Sequence, residues 1–283
     1  MLPNVLCIGV QKSGTTYLAS LLRQHPNIFL PIQKELNFFC YEKTYNKGIG
    51  YYKKSFTKVK NEKIIMESTP RYIIDEPYIK RIHSDLGNNT KIIIMIREPI
   101  SRLISHYKMN YFKNREHLTL NKAIIESFNE KRSNYDNYIK RGLYADQIEM
   151  VLKYFKKENI HLIIFDDFIN NTQKELEKLM VFLGINSKYE FDLSVDKNKS
   201  KNNKVNFLGK LYFLFPYRIR SKIIKLLPYK KLKNRSRILF KANSEVKIEE
   251  IESDLLKKLE KIYKEQINRL EKLYKIDLSK WKY

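Results

Sequence analysis

The sequence predicts an α/β fold: one domain with a central parallel sheet flanked by helices and a phosphate-binding strand–loop–helix near its start. Three observations carry that expectation. Short apolar runs at residues 5–10, 63–67, 91–97 and 161–166 have the continuous hydrophobicity of strands buried on both faces. Segments with apolar spacing of i, i+3, i+4 lie between them, and such alternation implies parallel strands joined by helical crossovers. Neither a Gly/Ser/Pro linker nor an internal repeat divides the 283 residues, so the whole span 1–283 reads as a single domain.

The helices follow in order. Residues 15–25 place Leu18, Leu21 and Leu22 on one face. Residues 101–110 follow the third strand, and Pro99 suits the first turn there because its missing N–H has no partner to lose. Residues 144–157 and 172–183 show helical spacing, and Gly184 is placed to cap the second of them. Residues 245–274 form a long charged amphipathic pattern, and 185–244 are the least regular stretch.

Composition narrows the partners. The chain has 55 Lys+Arg against 31 Asp+Glu, a formal net charge of +24. That excess suits a polyanionic partner: nucleic acid, anionic membrane, an acidic glycan or a phosphorylated cofactor. It is concentrated, since residues 197–241 hold 15 Lys or Arg and no Asp or Glu. A 43% hydrophobic content argues against wholesale disorder. No apolar run approaches 18 residues, so no transmembrane helix is expected. The first residues lack a basic n-region and a small-residue cleavage site, so no secretory signal is expected. Two cysteines, Cys7 and Cys40, cannot build a disulfide framework, which suits reduced thiols and a cytoplasmic location.

The strongest local signal is the run Gly9-Val-Gln-Lys-Ser-Gly-Thr-Thr16 between the first strand and the first helix. Backbone N–H groups in such a turn converge on an anion, and the helix dipole adds roughly half a positive charge. Gln11, Lys12, Ser13, Gly14, Thr15 and Thr16 are therefore candidate phosphate contacts. A nucleoside-triphosphatase loop puts Lys and then Ser/Thr directly after its last glycine, to hold a γ-phosphate and Mg²⁺. Here Thr15 follows Gly14 and the lysine lies inside the loop, which suits a phosphate without a chelated metal.

A second anion site is expected where the third strand ends. Arg97 lies at its carboxyl end, the edge at which open α/β sheets bind ligands. Ser105 lies two turns into the following helix, on a face approximately shared with Ser101 and Arg102. An Arg and a Ser converging there would hold a second phosphate, with the guanidinium fork adding selectivity.

Together these two elements resemble the sulfotransferases that use 3′-phosphoadenosine 5′-phosphosulfate (PAPS), most closely the heparan-sulfate-type and bacterial glycan branch. GVQKSGTTYL resembles the 5′-phosphosulfate loop, and IREPISRLISHY the 3′-phosphate segment. Lys34-Glu-Leu-Asn-Phe-Phe39 is similar to the stretch with that branch's catalytic glutamate. Glu67-Ser-Thr-Pro-Arg-Tyr72 resembles its following strand and turn, and Arg141-Gly-Leu-Tyr144 its next helix. The likeness runs on through 161–168, 174–184 and the ending Leu278-Ser-Lys-Trp281, and is weakest at 203–244. Where the 3-O-type enzymes carry a lysine after the glutamate of the EKTP-like turn, this chain has Ser68. It lacks the C-terminal cysteine pair of some Golgi members, which suits a reducing compartment.

The resemblance implies sulfuryl transfer from PAPS to a carbohydrate hydroxyl. Glu35 is then the base and an acceptor contact, expected to be partly desolvated by Phe38 and Phe39. Lys12 stabilises the leaving phosphate. Arg71 is a candidate acceptor contact. Lys199 and Lys201, in Asn198-Lys-Ser-Lys201, resemble a late loop that closes over the nucleotide. Glu67 is the alternative base. His106 is better suited to packing or a nucleotide contact, and His25, before Pro26, to a helix end. No His/Cys/Asp cluster has metal-ligand spacing, so no metal is expected. The stretch 207–227 mixes aromatic, aliphatic and basic residues. It suits a helical subdomain, a lining for the acceptor cleft, or a peripheral contact with anionic membrane and lipid-linked glycans. Two other readings stand beside this one. A phosphate-loop kinase lacks its Lys-Thr pair and its Mg²⁺-holding aspartate. A non-enzymatic nucleic-acid or membrane binder lacks any helix-turn-helix, zinc-finger or RNA-binding aromatic signature.

Overall fold

The structure is a computed structural model; it describes residues 1–113, 115–134, 136–194, 248–281 and 283. Five parallel strands form one sheet in the order β2-β3-β1-β4-β5. They are β1 (Val5–Gly9), β2 (Ile28–Phe29), β3 (Ile64–Ser68), β4 (Lys91–Ile96) and β5 (Ile160–Ile164). Every residue of β1 and β3 is buried, as expected of a sheet covered on both faces.

Side chains alternate across that sheet. Leu6 and Ile8 of β1 and Ile92, Ile94 and Ile96 of β4 face one core. α4 (Glu76–Leu86) and α7 (Tyr144–Leu152) cover it, with aromatics from the segment after Glu35. Val5, Cys7, Ile93 and Met95 face the other core, covered by α1 (Thr15–Leu22) and α9 (Thr172–Leu183). A third cluster joins α5 (Pro99–Phe112), α6 (Leu120–Phe128) and the first half of the last helix, which contributes Leu255, Leu259 and Tyr263. Two short helices, α2 (Glu42–Tyr45) and α3 (Ile49–Lys53), follow the Glu35 segment. α8 (Phe165–Asn170) follows β5 directly, and the last described helix is α10 (Ser253–Tyr274).

The chain leaves β1 toward β2 and β3 on one side, then crosses to β4 and β5 on the other. The switch point therefore lies between the carboxyl ends of β1 and β4, where the loops diverge and leave a crevice. Gly9 of β1 pairs with Ile94 of β4, after a bulge between Cys7 and Gly9.

Several expected boundaries move. β2 is two residues long and carries no periodic signal. The first helix ends at Leu22 rather than at residue 25. Gln24 and His25 turn back with bonds to Leu21 O and Leu22 O, and a residue before proline disfavours helix. His25 does not end the helix; its Nδ1 accepts from Asn27 N at 3.1 Å and its Nε2 lies 3.2 Å from Asn186 O. α7 stops at Leu152 because Tyr154 and Phe155 bond back to Val151 O and Phe155 turns into the core. α9 spans the expected residues. Gly184 caps it at φ 76°, with its own N–H and that of Ile185 donating to Met180 O. α10 begins at Ser253 rather than 245. Most of the irregular stretch 185–244, the basic run 197–241 and the segment 207–227 lie outside the described residues.

Candidate active site

The turn after β1 is built as an anion cradle. Val10 N donates to Met95 O at 2.8 Å, which ties the loop to β4, and Ser13 N donates to Val10 O at 3.2 Å. Gly14 caps α1 at φ 91°. A Cβ there would meet the Phe165 ring at 2.8 Å, so both conformation and space demand glycine. Lys12 is also left-handed, at φ 76°. Burial first, then the nearby Lys113 and Arg97 cations, hold its ammonium below the usual lysine range. The Ser13 hydroxyl is buried with no partner among the described residues, a donor not used within the protein. Such a loop fits a phosphate. Gln11 is tied back instead: its amide oxygen accepts from the buried Arg141.

Arg97 follows β4 and is half-buried at the same crevice. Its carbonyl accepts from Tyr144 Oη at 2.6 Å, and its guanidinium lies 4.8 Å from the Phe165 ring centroid. Glu98 caps α5 by accepting from Ile100 N and Ser101 N at 2.7 and 2.6 Å. Ser101 and Ser105 are half-buried on one side of that helix. Arg102 does not join them. It is fully buried and donates to Tyr138 O, because helical rotation carries it to the core side. His106 is buried too, 4.7 Å from the Tyr138 ring and beside Asn110. Burial and the surrounding Arg141, Arg102, Lys12 and Arg132 cations keep it neutral, well below the usual histidine range.

Glu35 sits in the turn between β2 and α2 at φ 61°, with its N–H donating to Ser68 O at 3.1 Å. Its side chain is 47% exposed, and its carboxylate lies 3.6 Å from Lys34 Nζ. The expected desolvation by Phe38 and Phe39 is absent. Both rings turn inward, Phe38 stacking on Tyr52 at 4.6 Å and Phe39 meeting Tyr72 edge-on at 5.4 Å.

Glu67 is beneath this turn, 1% exposed. Tyr52 Oη donates to its Oε2 at 2.9 Å, while Tyr72 Oη, at 3.4 Å, and Thr69 Oγ1 donate to its Oε1. Burial pushes its carboxyl up to about 7. Its carboxylate is enclosed by these three hydroxyls rather than open to the crevice. Its bond partner Thr69 in turn accepts from Asn37 N at 3.3 Å, so the buried carboxyl helps to hold the Glu35 turn. Arg71 extends toward the same face, donating to Tyr41 Oη at 2.7 Å and stacking on that ring. Lys199 and Lys201 lie outside the described residues.

Two participants escaped the sequence reading. Phe165 backs both Gly14 and Arg97; its signal is an aromatic at the carboxyl end of a strand on the ligand-binding edge. Lys34 was visible only as a neighbour of Glu35, yet its ammonium reaches Thr15 Oγ1 at 3.2 Å and Thr16 Oγ1 at 2.9 Å. Among the described residues, no group of three or more His, Cys, Asp or Glu is gathered to hold a metal ion, and no helix is long and apolar enough to cross a membrane.

Fold and site together define an α/β protein that can hold two anionic groups side by side at its switch point, with a carboxylate and a lysine at the margin. The chain belongs to the sulfotransferase domain family, whose model matches residues 2–271, a family of enzymes. It is 30% identical over 188 residues to human heparan sulfate glucosamine 3-O-sulfotransferase 5, covering 65% of this chain and 54% of that protein. It is 29% identical over 187 residues to human heparan sulfate glucosamine 3-O-sulfotransferase 3B1, covering 65% and 46%. The chain thus spans about half the length of these relatives. A sulfotransferase from Alicyclobacillus acidocaldarius shares the fold with a TM-score of 0.73 at 22% identity, both chains covered fully. Mouse sulfotransferase SULT7A1, solved in complex with PAP, superposes with a TM-score of 0.54 at 15% identity, over 95% of this chain and 87% of that one.

Proposed function

We propose that this chain transfers the sulfuryl group of PAPS to a hydroxyl of a carbohydrate acceptor. The observation that carries the proposal is the adjacency of two anion sites, the 10–16 loop after β1 and Arg97 after β4, on neighbouring strands at the switch point. A nucleotide with phosphates at both its 5′ and 3′ positions fits such a pair. The heparan-type relatives support a sugar acceptor, and the +24 net charge suits one that is itself anionic, free or lipid-linked.

PAPS supplies a sulfonate on a phosphate leaving group. The loop N–H groups and the Ser13, Thr15 and Thr16 hydroxyls bind the 5′ end. Arg97 and Ser105 hold the 3′-phosphate, and the Arg97 fork distinguishes it from a free 3′-hydroxyl. Lys12 meets the negative charge that develops on the departing oxygen. Glu35, exposed and poised at the crevice margin, takes the acceptor proton. Arg71 and Tyr41 present a cation and a ring face to the acceptor. Lys199 and Lys201 are assigned to closure over the nucleotide, and the cytoplasm supplies the reducing surroundings that suit Cys7 and Cys40.

A thermal-shift titration tests the donor half directly. Stabilisation by 3′,5′-ADP without metal, and none by ATP with Mg²⁺, is the expected result. The reverse pattern would replace this reading with a kinase.

A further inference from the structure

Lys34 Nζ lies 2.9 Å from Thr16 Oγ1, 3.2 Å from Thr15 Oγ1 and 3.6 Å from Glu35 Oε1. Its side chain is only 15% exposed. One ammonium therefore spans the gap between the anion cradle and the carboxylate assigned as base. Anything transferred from the cradle to a hydroxyl activated by Glu35 must pass through that gap.

The two lysines of the site flank the loop on different sides. Lys12 has Lys113 and Arg97 as its charged neighbours. Around Lys34 the charged and titratable groups are Glu35 from its own turn, Cys7 from β1 and Arg23 at the end of α1. Lys12 thus faces Arg97 and Lys34 faces Glu35. A threonine hydroxyl that accepts from an ammonium keeps its own proton free to donate, so Lys34 also turns Thr15 and Thr16 into donors toward the cradle.

We propose that Lys34 is a second catalytic cation, contacting the sulfonate during transfer while it pairs with Glu35. The inference rests on the sulfotransferase reading above. In the step, the bond from sulfur to the phosphate oxygen breaks and one from sulfur to the acceptor oxygen forms. The acceptor proton passes to Glu35, and Lys34 keeps its protons throughout. Partial burial strengthens its pull on the sulfonate oxygens relative to a solvated lysine.

The test compares two ligands that differ only in the sulfonate. PAPS and 3′,5′-ADP are titrated calorimetrically, without acceptor, into the parent, Lys34→Met and Lys34→Arg chains. Lys34→Met is expected to lose about 10-fold in PAPS affinity and less than about 3-fold for 3′,5′-ADP, the scale of one charge-assisted contact. Lys34→Arg should recover most of that loss. Equal losses for both ligands, or no loss for either, would overturn the assignment while leaving the donor reading intact. A parent chain that binds neither ligand would overturn both.

Discussion

Arg97 lies over the ring of Phe165, 4.8 Å from guanidinium carbon to centroid, and the same ring closes against Gly14 where a Cβ would come within 2.8 Å. One side chain at the start of α8 thereby sits between the two proposed anion sites. β4 and β5 supply the rigid base, pairing in register from Ile92 with Ile160 to Ile96 with Ile164.

Phe165→Ala should weaken 3′,5′-ADP binding by about 2- to 5-fold, the worth of a partly exposed cation–π contact. Calorimetric titration measures it. Affinity equal to the parent's would reduce the ring to packing.

Arg97→Ala should cost about 2–4 kcal/mol in 3′,5′-ADP binding and leave 5′-AMP nearly unchanged, because only the former carries the phosphate that the fork grips. Parallel losses for the two nucleotides would make Arg97 a structural residue.

Lys12→Ala should lower turnover by roughly 10²–10³, the scale of one lost electrostatic stabiliser. Steady-state rates at saturating donor measure this. Near-parental turnover would remove Lys12 from the chemistry.

Glu67 gives a pH-dependent prediction whose sign is fixed by its carboxyl being pushed up to about 7 from 4.5. Between those values the unfolded chain releases a proton that the folded chain keeps. Folding stability from this group is therefore full below about 4.5 and lost as pH rises through about 7. The difference amounts to about 3 kcal/mol. Glu67→Gln removes the titration, so its stability relative to the parent should climb by that order from pH 4.5 to 7 and then level off. Urea midpoints across pH measure it; a constant difference would mean that the carboxyl titrates normally.

The sheet is legible because four of its strands are continuous apolar runs of five or six residues, and the phosphate loop because glycine, hydroxyls and a lysine fall between strand and helix. β2 was not, since two residues carry no period. Arg102 turns to the core because it stands about 100° around the helix from Ser101, whereas Ser105 stands only about 40° from it. Glu35 is more exposed than expected because nearness in sequence to Phe38 and Phe39 says nothing of where those rings turn. They are drawn into an aromatic cluster with Tyr52 and Tyr72 that forms only in three dimensions. Phe165 and Lys34 join the site through contacts 151 and 18–19 residues from their partners Gly14, Thr16 and Thr15, beyond the reach of any local pattern.

The central claim is sulfuryl transfer to a sugar hydroxyl with Glu35 as base. Mass spectrometry of a glycan panel incubated with isotopically labelled PAPS, parent chain against Glu35→Gln, tests it most directly. The expected result is labelled sulfate on a carbohydrate oxygen with the parent. Glu35→Gln should bind 3′,5′-ADP as the parent does and lose turnover by roughly 10²–10⁴. Labelled product at parental rates from Glu35→Gln, or no labelled glycan from a parent chain that binds 3′,5′-ADP, would contradict it.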